Sequence, residues 1–137
     1  MRILIVESSY HAAAADLLTD GATAALEKGM AEFVRVSVPG VLELPGAIAL
    51  AARGHNFDAY VALGCVIGVD AVADALYRET LRGLVQLSAQ GVSIGTGVVL
   101  APDERAALGL ASDGNAGGDA ARAALSLANL RERLAVL

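Results

Sequence analysis

The sequence predicts an α/β protein in which helices cover both faces of a parallel sheet, and three observations support this. Short aliphatic runs alternate along the chain with longer Ala-rich stretches of helical spacing. Hydrophobic residues make up 55% of the chain and aromatic residues only 4%, so the core must be built from Ala, Val, Leu and Ile. The 137 residues are enough for one core and too few for two. We therefore expect a single domain over residues 1–137.

The first two strand–helix pairs follow from local patterns. Residues 2–6 are a continuous aliphatic run, which predicts a buried strand. Residues 12–28 carry Ala and Leu at helical spacing, and Gly29 follows where a C-terminal cap belongs. The β-branched residues of 33–38 predict a second strand, which a Pro-Gly turn ends, and the Ala-rich residues 43–53 predict a second helix.

The second half of the chain continues the alternation. Residues 58–67 are the longest apolar run, which predicts a central strand covered on both sides. Helical spacing over 71–89 predicts the third helix, and 92–100 predict the fourth strand. A Pro-Asp-Glu sequence at 102–104 starts a short helix, and the Gly-Gly pair at 117–118 precedes a last helix through Leu134.

This order of elements, with short connections, predicts a doubly wound sheet. The expected architecture is a flavodoxin-like three-layer sandwich with a four-stranded parallel sheet. Ligands of such proteins bind at the carboxyl ends of the strands. We therefore expect a binding site among the segments that follow the predicted strands, namely residues 7–11, 39–43, 65–70 and 94–97.

Charge and composition argue against several classes of partner. The formal net charge is −5 and Lys and Arg do not cluster, so the sequence lacks the basic patch of a nucleic-acid-binding protein. Gln, Ser and Gly interrupt the uncharged stretch from Gly83 to Pro102, which argues against a membrane span. The first apolar run is too brief for a signal peptide, so we expect a cytoplasmic protein. The aliphatic excess exceeds what one small core encloses, which favours a homo-oligomer.

Four segments, spaced along nearly the whole chain, carry specific motifs. Residues 38–45 read V-P-G-V-L-E-L-P and residues 63–67 read L-G-C-V-I. Residues 94–98 read I-G-T-G-V, and residues 115–121 read N-A-G-G-D-A-A. In register, these segments resemble V-P-G-x-x-E-[IL]-P, [IL]-G-x-V-I, I-G-N-G-[VI] and N-K-G-x-E-A-A of the lumazine synthase family.

The resemblance implies a reaction and an assembly. Family members condense 5-amino-6-ribitylaminopyrimidinedione with 3,4-dihydroxy-2-butanone 4-phosphate to 6,7-dimethyl-8-ribityllumazine, a transferase reaction of riboflavin biosynthesis that uses no cofactor and no metal. The expected partners are thus a small-molecule ribityl pyrimidine, lumazine or flavin. The resemblance also implies a homo-pentamer or a multiple of it. We expect icosahedral shells less, because the chain begins directly at the first strand.

The resemblance also indicates candidate substrate-binding residues. Tyr10 takes the place of a phenylalanine that stacks on the pyrimidine ring, and an aromatic face suits a flat heterocycle. The segment Val41-Leu42-Glu43 would hold the ribityl chain, whose hydroxyls a carboxylate can bind. Two alternatives stay open: Tyr10 as an ordinary loop aromatic, and Glu43 as an acid favoured in a first helical turn. The other candidates are placed at strand ends: Cys65, Val66, Ile67 and Thr96.

The segment after residue 67 departs from the family. The family reads R-G-x-T-x-H-[FY]-[DE], whereas this chain reads G-V-D-A-V-A-D, so Val72 or Ala73 stands in place of the catalytic histidine. Leu110 and Ala116 stand where the family has a phosphate-binding arginine and a lysine. No catalytic residue is therefore matched. His11 is the candidate base, although a histidine that opens an Ala-rich helix is more often incidental.

These departures lead to two functional expectations. The first is a lumazine synthase of weak activity, and the alternative is a catalytically inactive paralogue that acts as an oligomeric scaffold or binds a flavin or lumazine. Arg78 and Arg82 are expected to face solvent and so not to supply the missing charge. His55 is expected in a surface turn remote from the predicted site.

Overall fold

A four-stranded, all-parallel sheet forms the centre of the protein in the computed structural model, which describes residues 1–137. The strand order is β2-β1-β3-β4. Strand β3 is buried along almost its whole length, as its unbroken apolar run predicts. The strands are β1 (Arg2–Ser8), β2 (Glu32–Val38), β3 (Ala59–Ile67) and β4 (Ile94–Ala101).

Helices cover both faces of this sheet. On one face α1, α4 and α5 bury an apolar layer that is rich in Ala, and on the other face α2 and α3 bury an apolar layer around Leu44, Ile48 and Leu84. The predicted three-layer α/β sandwich is therefore confirmed. The helices are α1 (Ala12–Lys28), α2 (Leu44–Arg53), α3 (Ala71–Ala89), α4 (Glu104–Ala111) and α5 (Ala116–Ala135), and a short 3-10 helix spans Val41–Glu43. None of these helices has the length and apolar character that a membrane crossing requires.

The start of the last helix differs from the sequence prediction. Helix α5 already begins at Ala116, so Gly117 and Gly118 lie in its first turn and do not precede it. Asn115 caps the helix, since its side chain accepts a hydrogen bond from the Gly118 amide at 3.2 Å. A Cβ atom at Gly117 would lie 1.9 Å from the carbonyl oxygen of Leu18. The glycine is thus needed because α5 approaches α1 closely at this point.

Two strand ends also differ, and both differences matter for the site. Strand β1 continues to Ser8, two residues beyond the predicted end, so Ser8 is a buried strand residue. Strand β4 runs from Ile94 to Ala101, which places residues 94–97 in its first half and not at its carboxyl end. The parallel pairing explains this, because Thr96 lies opposite Ala62, in the middle of β3 and away from its carboxyl end.

Candidate functional site

A cavity opens at the carboxyl edge of the two central strands. The chain passes from β1 outward to β2 and then returns to the other side of β1 as β3, so the connections leave the edge in opposite directions. This is the position at which doubly wound sheets bind ligands. The cavity has a volume of about 460 Å³ and is lined by the ends of β1 and β3, the 3-10 helix and the first turns of α3. Seven of the eight predicted residues line it, namely Tyr10, Val41, Leu42, Glu43, Cys65, Val66 and Ile67.

Tyr10 and His11 form the rim of this cavity. They follow directly after β1, and their rings meet edge to face, with centroids 4.9 Å apart and an interplanar angle of 83°. Tyr10 is 77% exposed, so an apolar ring face stands free in solvent. Such a face is suited to stacking on a flat heterocycle. His11 is the only imidazole in the lining.

Ser8 lies at the floor of the cavity, and sequence reasoning missed it. The residue is 2% exposed, and its Oγ is the one buried side-chain polar atom in the protein without a hydrogen-bond partner. The period of two along β1 was the available signal, because it places Ser8 on the same face as the core residues Leu4 and Val6. The sequence prediction ended this strand at residue 6, so the period of two was not extended to Ser8.

The charges that line the cavity are negative. Glu43 and Asp70 contribute carboxylates, and no Lys or Arg is present in the lining. Glu43 is exposed and forms no ion pair, whereas Asp70 caps α3 and accepts a hydrogen bond from the Ala73 amide at 2.8 Å. The cavity is therefore equipped to accept hydrogen bonds from hydroxyl or N–H groups, and its field opposes an anion.

No metal site is apparent, and the cysteine is not activated. No group of three His, Cys, Asp or Glu side chains is close enough together to hold a metal ion. Burial raises the pKa of the Cys65 thiol to about 11. Cys65 is therefore a neutral thiol near pH 7 and not a nucleophile.

Comparison with known proteins agrees with the family that the motifs resemble. Residues 1–132 match the family profile described as 6,7-dimethyl-8-ribityllumazine synthase. The chain belongs to this family. A protein of that name from Novosphingobium aromaticivorans is 42% identical over 135 residues, which cover 96% of this chain and 97% of the relative. A second, from Sphingopyxis alaskensis, is 40% identical over 137 residues, which cover 98% of this chain and 97% of the relative. The 6,7-dimethyl-8-ribityllumazine synthase 1 of Mesorhizobium japonicum is 42% identical over an alignment of 141 positions, which covers 96% of this chain and 86% of the relative.

The two positions that could correspond to the lumazine synthase histidine differ in their surroundings. Val72 and Ala73 both line the cavity. Val72 is 75% exposed, whereas Ala73 is 7% exposed and belongs to the core beneath α3. A Cβ atom at Gly68 would lie 2.9 Å from the Cβ of Ala73, so little space surrounds Ala73. Only position 72 has room for an imidazole.

Several other residues singled out in the sequence lie outside the cavity. Thr96 is exposed in the first half of β4, Leu110 lies in α4, and Ala116 is the first residue of α5. Arg78 pairs with Asp74, and Arg82 pairs with Glu79 at 3.3 Å, with all four side chains exposed on α3. His55 is exposed in the turn between α2 and β3, as expected. The cavity thus receives no positive charge from this chain's own Arg or Lys residues.

Proposed function

We propose that this protein is a lumazine synthase of low turnover that binds ribityl pyrimidines, lumazines or flavins at the carboxyl edge of β1 and β3. The observation that carries the proposal is the set of residues that line the cavity. It combines an exposed aromatic rim at Tyr10 with the Val41–Glu43 segment, but it holds no cation. Family membership and the names of the relatives support the reaction class and its place in riboflavin biosynthesis.

Recognition of the ribityl compound rests on two kinds of contact. The heterocycle stacks on Tyr10, because the ring face is exposed and a flat aromatic partner covers it. The polyol hydroxyls donate hydrogen bonds to the Glu43 carboxylate. This carboxylate is free to accept them, because no Lys or Arg is present in the cavity lining. Neither contact needs a cofactor or a metal.

Recognition of the butanone phosphate is impaired in the same cavity. A phosphate dianion is stabilised by positively charged donors, and two such contacts together contribute about 3–6 kcal/mol. Their loss weakens binding by about a hundred-fold to ten-thousand-fold. The absence of a histidine at position 72 or 73 removes a further factor of about 10²–10⁴ in rate. His11 is the remaining candidate for proton transfer, because its imidazole lines the cavity.

The test is a stopped-flow assay of lumazine formation with both family substrates. The relative from Novosphingobium aromaticivorans, tested in parallel, provides the reference rate. We expect slow formation of 6,7-dimethyl-8-ribityllumazine with a strongly raised KM for the butanone phosphate. Turnover equal to that of the reference, with an ordinary KM, would refute the proposal of low activity.

The second candidate is a non-catalytic paralogue that binds a flavin or lumazine. The observation that favours it is the negative lining, since Glu43 and Asp70 disfavour a phosphorylated substrate but not a neutral ribityl heterocycle. Riboflavin binding without detectable lumazine formation, even at saturating substrate, would establish this function in place of the first.

We further propose that the protein acts in the cytoplasm as a homo-pentamer or a multiple of it. Apolar side chains stay exposed on β2 and on the helices, and one chain alone does not cover them. They include Val34, Val36, Leu50 and Val85. Sedimentation equilibrium at micromolar concentration should give five times the chain mass or a multiple of it, and a monomer would refute the assembly.

A further inference from the structure

The Oγ of Ser8 is an unpaired hydroxyl at the floor of the ligand cavity. Ser8 is the last residue of β1 and is 2% exposed. Its Oγ is the only buried side-chain polar atom in the protein that has no hydrogen-bond partner. A buried hydroxyl without a partner destabilises a folded protein, so each such atom requires an explanation.

The Ser8 hydroxyl has no hydrogen-bond partner among the other groups of the protein. The side chains of Ser8, Val41 and Leu44 converge on Gly64 of β3. A Cβ atom built at Gly64 would lie 3.3 Å from the Cβ of Ser8, 2.6 Å from Val41 and 3.4 Å from Leu44. Val41, Leu44 and Gly64, which meet Ser8 at this point, have no side-chain group that could form a hydrogen bond. The cavity is the direction from which a polar partner can come, because Ser8 is one of its lining residues.

The depth of Ser8 indicates which part of a ligand reaches it. Tyr10, 77% exposed, marks the mouth of the cavity, and Ser8 marks its floor. A heterocycle that stacks on Tyr10 stays at the mouth, so the slender part of the ligand extends inward. A serine hydroxyl both donates and accepts hydrogen bonds, and so do the hydroxyls of a polyol chain.

We propose that Ser8 Oγ hydrogen-bonds a hydroxyl of the polyol chain of the bound ligand and thereby selects for that chain. The proposal rests on the proposed binding of a ribityl compound in this cavity. No group of the protein pairs with this hydroxyl, and in the complex the polyol hydroxyl is its partner. Ser8 therefore lowers the stability of the unliganded protein and strengthens the binding of the polyol ligand.

The experiment compares riboflavin with lumiflavin, which has the same ring system but a methyl group in place of the ribityl chain. Both are titrated by fluorescence quenching into the unmodified full chain, Ser8→Ala and Ser9→Ala. Ser9 is the matched control, because it is the adjacent serine, exposed and outside the cavity lining. Thermal unfolding of each unliganded protein is measured in parallel.

We expect Ser8→Ala to weaken riboflavin binding about 5- to 20-fold, as for one lost hydrogen bond that leaves a ligand hydroxyl unpaired. Lumiflavin binding should stay within about two-fold, and Ser9→Ala should change neither. The Tm of unliganded Ser8→Ala should rise by a few degrees, since the unpaired hydroxyl is removed.

Three results would overturn the assignment. Unchanged riboflavin binding by Ser8→Ala would exclude the contact, and equal weakening of both flavins would exclude the polyol chain as its partner. A lower Tm would show that the hydroxyl has a structural partner within the protein. If the unmodified protein bound no riboflavin at all, the proposed binding function would fail, and the role of Ser8 would fail with it. Failure of the Ser8 contact alone would instead leave riboflavin binding by the unmodified protein intact.

Discussion

Removing the negative charge of Asp70 should improve binding of a phosphorylated flavin and leave a neutral flavin unaffected. Asp70 lines the cavity and caps α3 through its hydrogen bond from the Ala73 amide. The Asp70→Asn substitution keeps an oxygen that can accept this bond, and Asn is as good an N-cap as Asp. The fold is therefore retained while the cavity loses one negative charge.

The magnitude follows from the size of the cavity. A phosphate bound in the cavity lies near Asp70, because the cavity measures only about 460 Å³ and Asp70 is one of its lining residues. At a separation of about 8 Å in a water-like dielectric, a dianion and a carboxylate repel each other by about 1 kcal/mol. Because Asp70 is exposed, the water-like value applies. One kcal/mol corresponds to about a five-fold change in Kd.

The assay is a pair of fluorescence titrations with riboflavin and riboflavin 5′-phosphate at low ionic strength. We expect Asp70→Asn to bind the phosphate about five-fold more tightly, and riboflavin within about two-fold of the unmodified protein. The gain should diminish at 0.5–1 M salt, where the Debye length falls to about 3–4 Å.

Asp103→Asn is the matched control for this substitution. Asp103 caps α4 with the same geometry, since its carboxylate accepts a hydrogen bond from the Ala106 amide at 2.8 Å, but it lies outside the cavity lining. It should therefore change neither affinity. Equal gains in the two variants, or a gain for riboflavin as large as that for its phosphate, would refute a local repulsion by Asp70.

Four further substitutions test the rim and the site of the missing histidine. Tyr10→Ala should weaken riboflavin binding by about 1–3 kcal/mol if a ring stacks on it, and an unchanged Kd would remove Tyr10 from the site. His11→Ala should lower the residual lumazine formation about ten-fold or more in the stopped-flow assay, and an unchanged rate would make His11 incidental. Val72→His should raise turnover at saturating substrate, because position 72 is exposed to the cavity. Ala73→His should instead lower the free energy of unfolding by about 1–3 kcal/mol through overpacking, so a stable and faster Ala73→His variant would contradict this assignment.

The order of the elements and the place of the binding edge follow from the sequence alone. The unbroken apolar run of β3 identifies a strand covered on both faces, because nothing polar interrupts either side of its period of two. The Ala-rich helical stretches indicate close packing on the sheet, and the structure confirms an Ala-rich core under α1, α4 and α5. These features are local, so periodicity and residue type are sufficient to predict them.

The depth and neighbours of individual side chains depend on tertiary structure. Ser8 is buried because β1 extends two residues further and brings Ser8 against Gly64 of β3, and no local pattern requires that extension. Thr96 lies away from the cavity because the parallel register places it opposite Ala62, in the first half of β4. Val72 and Ala73 are adjacent in sequence, yet the direction in which each points from α3 makes one exposed and the other part of the core. Residue identity and motif therefore indicate which chemistry is present or missing, whereas strand register and helix packing decide which side chains can reach a ligand.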